Sequence, residues 1–331
     1  MPPPPLTTIY KEINSSKIST DIYLPPPTSS PNNSAEQKHH PVLINIHGGA
    51  FMLGHSGMVS MPQIDDCLAR GWIVVVPNHR LCPGVDVLTG PIADIRDLLV
   101  WIYDGSLDGY LREDGRDEYK VDMNKVMAFG TSSGGFLAMS LGYDVPRPPA
   151  AILNFYGAAH FKDPFWKTPL PHVQASLPES GFDETFLKSV YTEFPIATTS
   201  GISLEGPSSE SKPNKPDFSR PRDAFAITQI ASGAVLNAIY PNGDLGNIDP
   251  VERVTDGFPP TFIVHGDADK MVPVWLNRRL YGVLQEKGVE CEMVEIPGEG
   301  HTFAMGMAVG SRTWDLSRQG FEWLERIISE L

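Results

Sequence analysis

A serine set between glycines is the first pattern in this chain that could do chemistry. The run Gly130-Thr131-Ser132-Ser133-Gly134 lies between a predicted strand and a predicted helix. A strand that turns into a helix through one residue requires small neighbours two positions before and after it, since larger side chains would collide. Ser132 has glycine at both positions, whereas the rival nucleophile Ser133 has the branched Thr131 on one side. The pattern therefore favours Ser132 as an exposed nucleophile.

A serine hydroxyl is a weak nucleophile unless a base takes its proton and an acid orients that base. On a sheet of this type the expected chain order is serine, acid, histidine. Asp267 and Asp269 both follow the predicted strand 261–264, and His301 follows the last predicted strand in a glycine-flanked loop. We expect Asp269 to be the acid because it lies further into the turn, and Asp267 to shape the turn through backbone hydrogen bonds. His301 is the expected base.

A third element is His47-Gly48-Gly49-Ala50, directly after the predicted strand 42–46. Acyl transfer builds negative charge on a carbonyl oxygen, and backbone N–H groups must already point at that oxygen. Glycines let the chain turn its amides inward without obstruction. The amides of Gly48, Gly49 and Ser133 are therefore the predicted oxyanion hole. Other histidines at strand ends beside glycine, His47 and His265, are interpreted as structural.

Strands alternate with helices along most of the chain, which predicts a mostly parallel sheet of about eight strands covered on both faces. The predicted strands are 7–14, 17–24, 42–46, 72–76, 125–130, 150–156, 261–264 and 291–296. The predicted helices are 91–103, 134–141, 274–286 and 311–328. The opening hairpin can add antiparallel strands at one edge. We expect a single α/β domain over residues 1–331.

The span 158–258 interrupts this alternation. It contains helical patches at 182–194 and 223–240 and a loop at 198–222 that is rich in Ser, Pro, Lys and Gly. Long insertions at the carboxyl end of a parallel sheet commonly cover a site, so we interpret 158–258 as a helical lid. The alternative is a helical subdomain that serves stability alone.

With these elements in place, the chain resembles the α/β-hydrolase fold and, within it, the hormone-sensitive-lipase-like carboxylesterases. The run Asn78–Pro83 is similar to their Y-R-L-A-P segment, and Asp94 and Trp101 are similar to their D-x6-W pair, here with structural roles. His265 to Pro273 also matches an H-G-x-x-D-x-x-V-P run of related hydrolases. The Pro-rich start and the insertion look like fungal relatives, some of which serve secondary-metabolite pathways.

The sequence departs from this family in the residues around its motifs. Ala50 replaces a third glycine, Thr131 replaces a frequent Asp, and Ser133 stands where Ala is usual. The sequence also begins almost directly with the first predicted strand, without the N-terminal cap helices of many family members. We therefore expect the lid to come mainly from the insertion, so substrate specificity does not carry over from the family.

The expected function is cleavage of a small to medium carboxylic ester through an acyl-enzyme intermediate, with Ser132, His301 and Asp269 as the triad. The same triad could act on thioesters or amides, or pass the acyl group to a hydroxyl in transfer or cyclisation. A different class remains open as well: a ligand-binding homologue without catalysis. No metal or organic cofactor is expected, because no Cys/His cluster has ligand spacing and no phosphate-binding glycine loop occurs.

The amino-acid composition limits the kinds of molecule that this protein is expected to bind. The 331 residues carry 26 Lys and Arg against 40 Asp and Glu, a formal charge of −14 that disfavours nucleic acid and anionic membranes. No apolar run approaches the roughly 20 residues needed to span a bilayer. The start Met1-Pro2-Pro3-Pro4-Pro5 lacks the features of a secretory signal, and three cysteines are too few for a disulfide scaffold, so a cytoplasmic protein is expected. The oligomeric state is left open, with a homodimer as one option.

Overall fold

An eight-stranded sheet runs through the middle of the molecule. The computed structural model describes residues 4–27, 38–201 and 216–331. The strands are β1 (Leu6–Ile13), β2 (Ser16–Tyr23), β3 (Lys38–Ile46), β4 (Ile73–Pro77), β5 (Tyr119–Thr131), β6 (Ile152–Phe155), β7 (Thr261–Gly266) and β8 (Cys291–Ile296). Their order in the sheet is β1-β2-β4-β3-β5-β6-β7-β8. The pairs β1–β2 and β2–β4 are antiparallel and all others are parallel, which confirms the predicted sheet.

Helices cover both faces of the sheet. In chain order they are α1 (Met61–Ala69), α2 (Ala93–Tyr103), α3 (Ser106–Glu113), α4 (Ser133–Ser140), α5 (Pro171–Gln174), α6 (Glu184–Lys188), α7 (Pro221–Ser232), α8 (Val235–Ile239), α9 (Pro250–Arg253), α10 (Val274–Glu286), α11 (Phe303–Gly306) and α12 (Arg312–Ser329). On one face α2, α3, α4 and α10 pack on apolar side chains such as Ile44 and Ala128. On the other, α1 and α12 pack on their strand neighbours Leu43 and Met127. Successive residues of a strand point to opposite faces, so the central strands must be apolar throughout, and all five residues of β4 are buried.

Several element boundaries differ from the prediction. Strand β3 begins at Lys38 rather than at 42, because residues 38–40 pair with residues 119–121 of β5. The predicted helix 223–240 is divided into α7 and α8 at Gly233, whose φ of +69° is left-handed and ends a helix. The predicted loop at 198–222 falls in large part on 202–215, outside the described residues.

Between β6 and β7 the described residues form helices and turns but no strand. Helices α5 to α9 lie here, together with 3₁₀ turns at Pro164–Lys167, Ser189–Thr192 and Leu245–Asn247. This interval contains the predicted insertion 158–258. It leaves the sheet at the carboxyl end of β6 and returns at the start of β7.

The family-like residues Arg80 and Asp94 form a buried ion pair next to the sheet. Arg80 Nη2 lies 2.7 Å from Asp94 Oδ1, and the Arg80 backbone N–H donates to Asp94 Oδ2 at 2.8 Å. Lys11 of β1 also binds Asp94, at 2.6 Å. Asp94 is fully buried. The pair therefore fixes the loop after β4 onto α2, which agrees with the structural role expected for Asp94.

A buried amide network fixes the point where the chain leaves β6. Asn154 Nδ2 donates to Asn277 Oδ1 at 3.0 Å, and Asn277 Nδ2 donates to the Gly157 carbonyl at 2.7 Å. The Gly157 N–H in turn donates to Asn154 Oδ1 at 2.9 Å. Both asparagine side chains are excluded from solvent. The network thus joins β6, α10 and the first residues of the insertion.

We expect Asn277→Leu to lower the free energy of unfolding. The substitution leaves Asn154 Nδ2 and the Gly157 carbonyl buried without partners, at about 1–3 kcal/mol for each. Equilibrium urea unfolding measures the loss, with the exposed Asn242→Leu as the matched control. Equal unfolding free energies for the two variants would contradict this account of the network.

Candidate active site

Ser132 occupies a one-residue turn between β5 and α4. Its backbone is left-handed, with φ +53° and ψ −122°, a conformation that a non-glycine residue rarely adopts. Close backbone approaches on both sides require glycine: a Cβ at Gly130 would lie 2.2 Å from the Gly134 carbonyl oxygen. A Cβ at Gly134 would lie 2.1 Å from the carbonyl oxygen of Ile46. The turn therefore holds the Ser132 side chain out at the carboxyl edge of the sheet.

The structure brings Ser132, His301 and Asp269 into one hydrogen-bonded chain. Ser132 Oγ lies 2.8 Å from His301 Nε2, and His301 Nδ1 lies 2.6 Å from Asp269 Oδ2. The residues are 169 and 32 positions apart in sequence, so the contact depends on the fold. Since a carboxylate only accepts, Nδ1 carries the hydrogen and Nε2 is left to accept from the serine hydroxyl. This arrangement can remove a proton from Ser132.

The two candidate acids have different surroundings. Asp267 is exposed and accepts a hydrogen bond from the Gly298 backbone N–H at 2.6 Å, so it shapes the contact between two loops. Asp269 is buried, and its Oδ1 accepts from the backbone N–H groups of Met271 and Val272 at 2.8 and 2.9 Å. Only Asp269 of these two has a hydrogen bond to His301 in the described structure.

The electrostatics keep Asp269 ionised. Burial by itself raises the pKa of its carboxyl, but the attraction of His301 and the hydrogen bonds from His265 and His301 outweigh burial. The pKa of Asp269 therefore lies well below its usual value. A carboxylate that stays charged can orient a neighbouring imidazole and stabilise its protonated form.

The loop after β3 turns sharply beside Ser132. Gly49 has φ +125°, and a Cβ there would lie 2.1 Å from the Leu53 carbonyl oxygen. His47 Nδ1 lies 2.7 Å from the Gly48 carbonyl, and burial together with the neighbouring His79 lowers the pKa of His47 to about 3. The loop therefore carries an uncharged imidazole near neutral pH. Ala50 and Phe51, which follow the two glycines, border the cavity described next.

A mostly apolar cavity of about 360 Å³ opens beside Ser132 and His301. Half of its lining residues come from the insertion: Ala158, Phe165, Trp166, Thr168, Leu170, Ile230, Gly233 and Val235. The described lining includes no Asp, Glu, Lys or Arg. The volume is at the small end of the range for ligand pockets, and the apolar wall suits an uncharged group.

One buried arginine ties the insertion to the loop after β3. Arg222 of α7 donates from Nη1 to the carbonyl oxygens of Met52 and Cys82, at 2.9 and 2.7 Å. Its Nε donates to Glu193, another residue of the insertion, at 3.2 Å. The arginine guanidinium carries five N–H donors on one rigid planar group, so it can bind several oxygens at once. The cavity wall and the loop beside Ser132 are therefore held together.

The structure adds residues around the site that sequence reasoning did not assign to it. The Tyr156 ring packs on His301 with 5.0 Å between centroids, and His265, interpreted from the sequence as structural, contacts Asp269. The H-G-x-x-D spacing could have indicated this last contact, because a histidine four residues before the acid can face it across a turn. The cavity-lining residues of the insertion have no comparable signal in one sequence.

Two negative findings hold for the described part of the chain. It contains no group of three or more His, Cys, Asp or Glu side chains arranged to hold a metal ion. None of its helices has the length and apolar character needed to cross a bilayer.

Solved structures with the same architecture include an esterase and a protein of unknown function. Thermogutta terrifontis esterase 2, in a form phosphoramylated by tabun, superposes with a TM-score of 0.59 at 17% identity, covering 99% of this chain and 95% of that one. A protein of unknown function from Staphylococcus aureus subsp. aureus Mu50 superposes with a TM-score of 0.65 at 18% identity, covering 97% and 99%. At these identities the likeness establishes the fold, which is the α/β-hydrolase fold.

Sequence comparisons agree with this class. The BD-FAE family model matches residues 20–148, and the prolyl oligopeptidase family model matches residues 240–330. Each match covers less than half of the chain, and together they support the α/β-hydrolase fold, the resemblance to hormone-sensitive-lipase-like esterases and a serine hydrolase.

Curated relatives add a biosynthetic context. The chain is 29% identical over 336 residues to the non-reducing polyketide synthase Preu6 of Preussia isomera. It is 27% identical over 360 residues to the non-reducing polyketide synthase ausA of Aspergillus calidoustus. These matches cover 96% and 98% of this chain but only 14% of each synthase. The relatives fit the expected link to fungal secondary metabolism.

Proposed function

We propose that this protein is a serine hydrolase that cleaves a carboxylic ester of a small to medium, uncharged organic substrate. The observation that carries the proposal is the hydrogen-bonded chain from Ser132 Oγ through His301 to Asp269, at 2.8 and 2.6 Å, beside an apolar cavity. Nucleophile, base and orienting acid are within the distances that covalent catalysis requires.

The reaction has two halves. Ser132 Oγ attacks the substrate carbonyl while His301 Nε2 takes the hydroxyl proton, and His301 then returns this proton to the departing alcohol. A water that loses a proton to His301 attacks the acyl-serine ester. The acid leaves, and Ser132 regains its hydrogen from His301. Throughout, Asp269 holds the imidazole with its hydrogen on Nδ1.

The negative charge that develops on the carbonyl oxygen requires donors that are already in place. We assign this role to the backbone N–H groups of Gly48, Gly49 and Ser133. The amide of Ala50 is a further candidate, because Ala50 and Ser133 both border the cavity. Positive φ angles at Gly49 and Ala50, +125° and +53°, support a loop whose amides turn toward one side.

We assign the insertion 158–258 the role of a lid that sets specificity. Phe165, Trp166, Leu170 and Val235 supply apolar wall, and Arg222 fixes that wall to the loop beside Ser132. The acyl or alcohol group that enters must then be apolar and limited in size.

A thioester is the second candidate substrate. The observation that favours it is the match of nearly the whole chain to a part of polyketide synthases. Activated acyl groups are carried as thioesters by carriers such as CoA. The same first half-reaction would release a thiol in place of an alcohol, and a substrate hydroxyl in place of water would give transfer or cyclisation.

A matched substrate panel tests the reaction type. Purified protein is assayed with oxygen esters and thioesters of the same acyl groups, from acetyl to long chain, with aryl and lactone substrates added. Product analysis with and without an alcohol acceptor separates hydrolysis from transfer. Labelling of Ser132 by a fluorophosphonate is expected, and absence of both labelling and turnover would instead support a non-catalytic ligand-binding homologue.

A cavity variant tests the lid. We expect Val235→Phe to reduce kcat/KM for longer acyl groups at least about tenfold relative to acetyl, since one methylene changes binding by about 1–3 kcal/mol. Val100→Phe on the exposed side of α2 is the matched control. An unchanged ratio between long and short acyl groups would remove Val235 from the substrate pocket.

A further inference from the structure

His265 approaches the same oxygen of Asp269 that His301 uses. Asp269 Oδ2 lies 2.6 Å from His301 Nδ1 and 3.1 Å from His265 Nε2. The side chains of Asp269 and His265 are both fully buried. Solvent therefore does not compete with His265 for the Asp269 carboxylate.

The hydrogen-bond partners define the tautomer of His265. Its Nε2 also lies 2.7 Å from the Val272 carbonyl oxygen, which can only accept, so Nε2 carries the hydrogen. Its Nδ1 is buried and has no partner among the described residues, and a hydrogen there would be left unsatisfied. The Nε2–H of His265 is thus shared between the Asp269 carboxylate and the Val272 carbonyl oxygen, at the two ends of the loop 269–272.

We propose that His265 is a positioning residue for the reaction proposed above: its shared Nε2–H fixes the loop 269–272 so that Asp269 Oδ2 faces His301. The argument rests on where the two residues sit. His265 belongs to β7, where it pairs with Glu295 of β8, whereas Asp269 lies on a loop. The imidazole is therefore the side-chain link from the rigid sheet to the carboxylate.

The contact also changes how strongly the acid binds His301. Removal of the His265 donor releases the loop 269–272, so that Asp269 Oδ2 no longer faces His301 and attracts the protonated imidazole of His301 less strongly. The other titratable neighbours of His265 are Tyr156, with 6.4 Å between ring centroids, and Glu295, which is bound to Arg278 at 2.6 Å. Neither of them has a hydrogen bond to Asp269 among those described.

The test compares His265→Gln with His265→Asn. The Gln amide extends as far as Nε2 of the imidazole and has two N–H groups for Asp269 and Val272, whereas the Asn amide is one methylene too short. With a short-chain 4-nitrophenyl ester we expect His265→Gln to stay within about threefold of wild type. We expect His265→Asn to lose about 10–100-fold in kcat at unchanged KM, by analogy with the loss typical when a partner that orients a metal-ligating side chain is removed.

The pH profile separates positioning from a structural role. The acid limb of kcat/KM reports the essential base of the free enzyme. In His265→Asn this limb should move to lower pH, because a misplaced Asp269 stabilises the protonated base less, whereas in His265→Gln it should stay with wild type. Equal kcat and equal limbs for the two variants, or a loss in Asn that follows only the folded fraction measured by urea unfolding, would overturn the proposal. Ser132→Ala is assayed in parallel: activity retained there refutes the proposed function, while activity lost there with unaffected His265 variants refutes this inference alone.

Discussion

Ser132→Ala is expected to fold normally and to lose ester hydrolysis almost completely. The variant removes the atom that lies 2.8 Å from His301 Nε2, and no other hydroxyl takes its place in the described hydrogen bonds of His301. In serine proteases the loss of the nucleophile lowers kcat by about 10⁶-fold, and we expect a decrease of the same order. Alanine should accept the left-handed backbone of this position about as well as serine, because both have a Cβ and differ only in the hydroxyl.

Steady-state hydrolysis and fluorophosphonate labelling measure this effect. Ser140→Ala is the matched control, since Ser140 is a serine on α4, the helix that follows Ser132, and its hydroxyl donates to the Leu137 carbonyl rather than to His301 in the described hydrogen bonds. It should keep its activity and its labelling. Retention of more than a few per cent of activity in Ser132→Ala would show that Ser132 is not the nucleophile. Loss of hydrolysis and labelling in Ser133→Ala but not in Ser132→Ala would assign that role to Ser133.

Asp269→Asn should produce the next largest loss, about 10⁴-fold in kcat. An amide nitrogen facing His301 Nδ1 would donate rather than accept, so the imidazole hydrogen would move to Nε2. That tautomer cannot take the proton of Ser132, and the corresponding change in a serine protease costs about 10⁴-fold while the geometry is kept. Substrate binding should change little, since Asp269 does not line the cavity.

Asp267→Asn is the matched control for the acid. Asp267 is exposed, and an asparagine oxygen can still accept from the Gly298 N–H. We expect less than about a threefold change in kcat. Surface substitutions usually change the free energy of unfolding by no more than about 0.5 kcal/mol, so the fold around His301 should be kept. The assay is kcat and KM for both variants on one ester. The reverse ranking, with Asp267→Asn the more damaging, would assign the acid to Asp267.

The sequence predicts elements best where local signals and periodicity agree. Helix α10 has the predicted bounds Val274–Glu286, because Pro273 precedes its first turn and Gly288, with φ +71°, follows its end. Strand β8 likewise has its predicted bounds. In both cases the sequence signals that mark the ends of the element lie in the element or within a few residues of it.

Long-range pairing explains most of what the sequence does not predict. The start of β3 depends on a partner segment of β5 some 80 residues away, since Lys38 pairs with Tyr119. Among the site residues, Ser132, Asp269 and His301 follow from the motif order. The role proposed for His265 depends on the path of the acid loop, and the cavity wall depends on how the insertion folds back over the sheet.

The link made by Arg222 has a consequence for engineering this protein. Its guanidinium joins α7 and Glu193 to the carbonyl oxygens of Met52 and Cys82, which belong to loops after β3 and β4. A chimera that exchanges the insertion for that of a relative must therefore also carry an arginine and a carboxylate at these two places. Without them, two buried carbonyl oxygens would lose their donors, and the side-chain contact between the grafted segment and the loops after β3 and β4 would be lost. The part that can be exchanged is therefore an insertion that keeps an arginine and a carboxylate equivalent to Arg222 and Glu193.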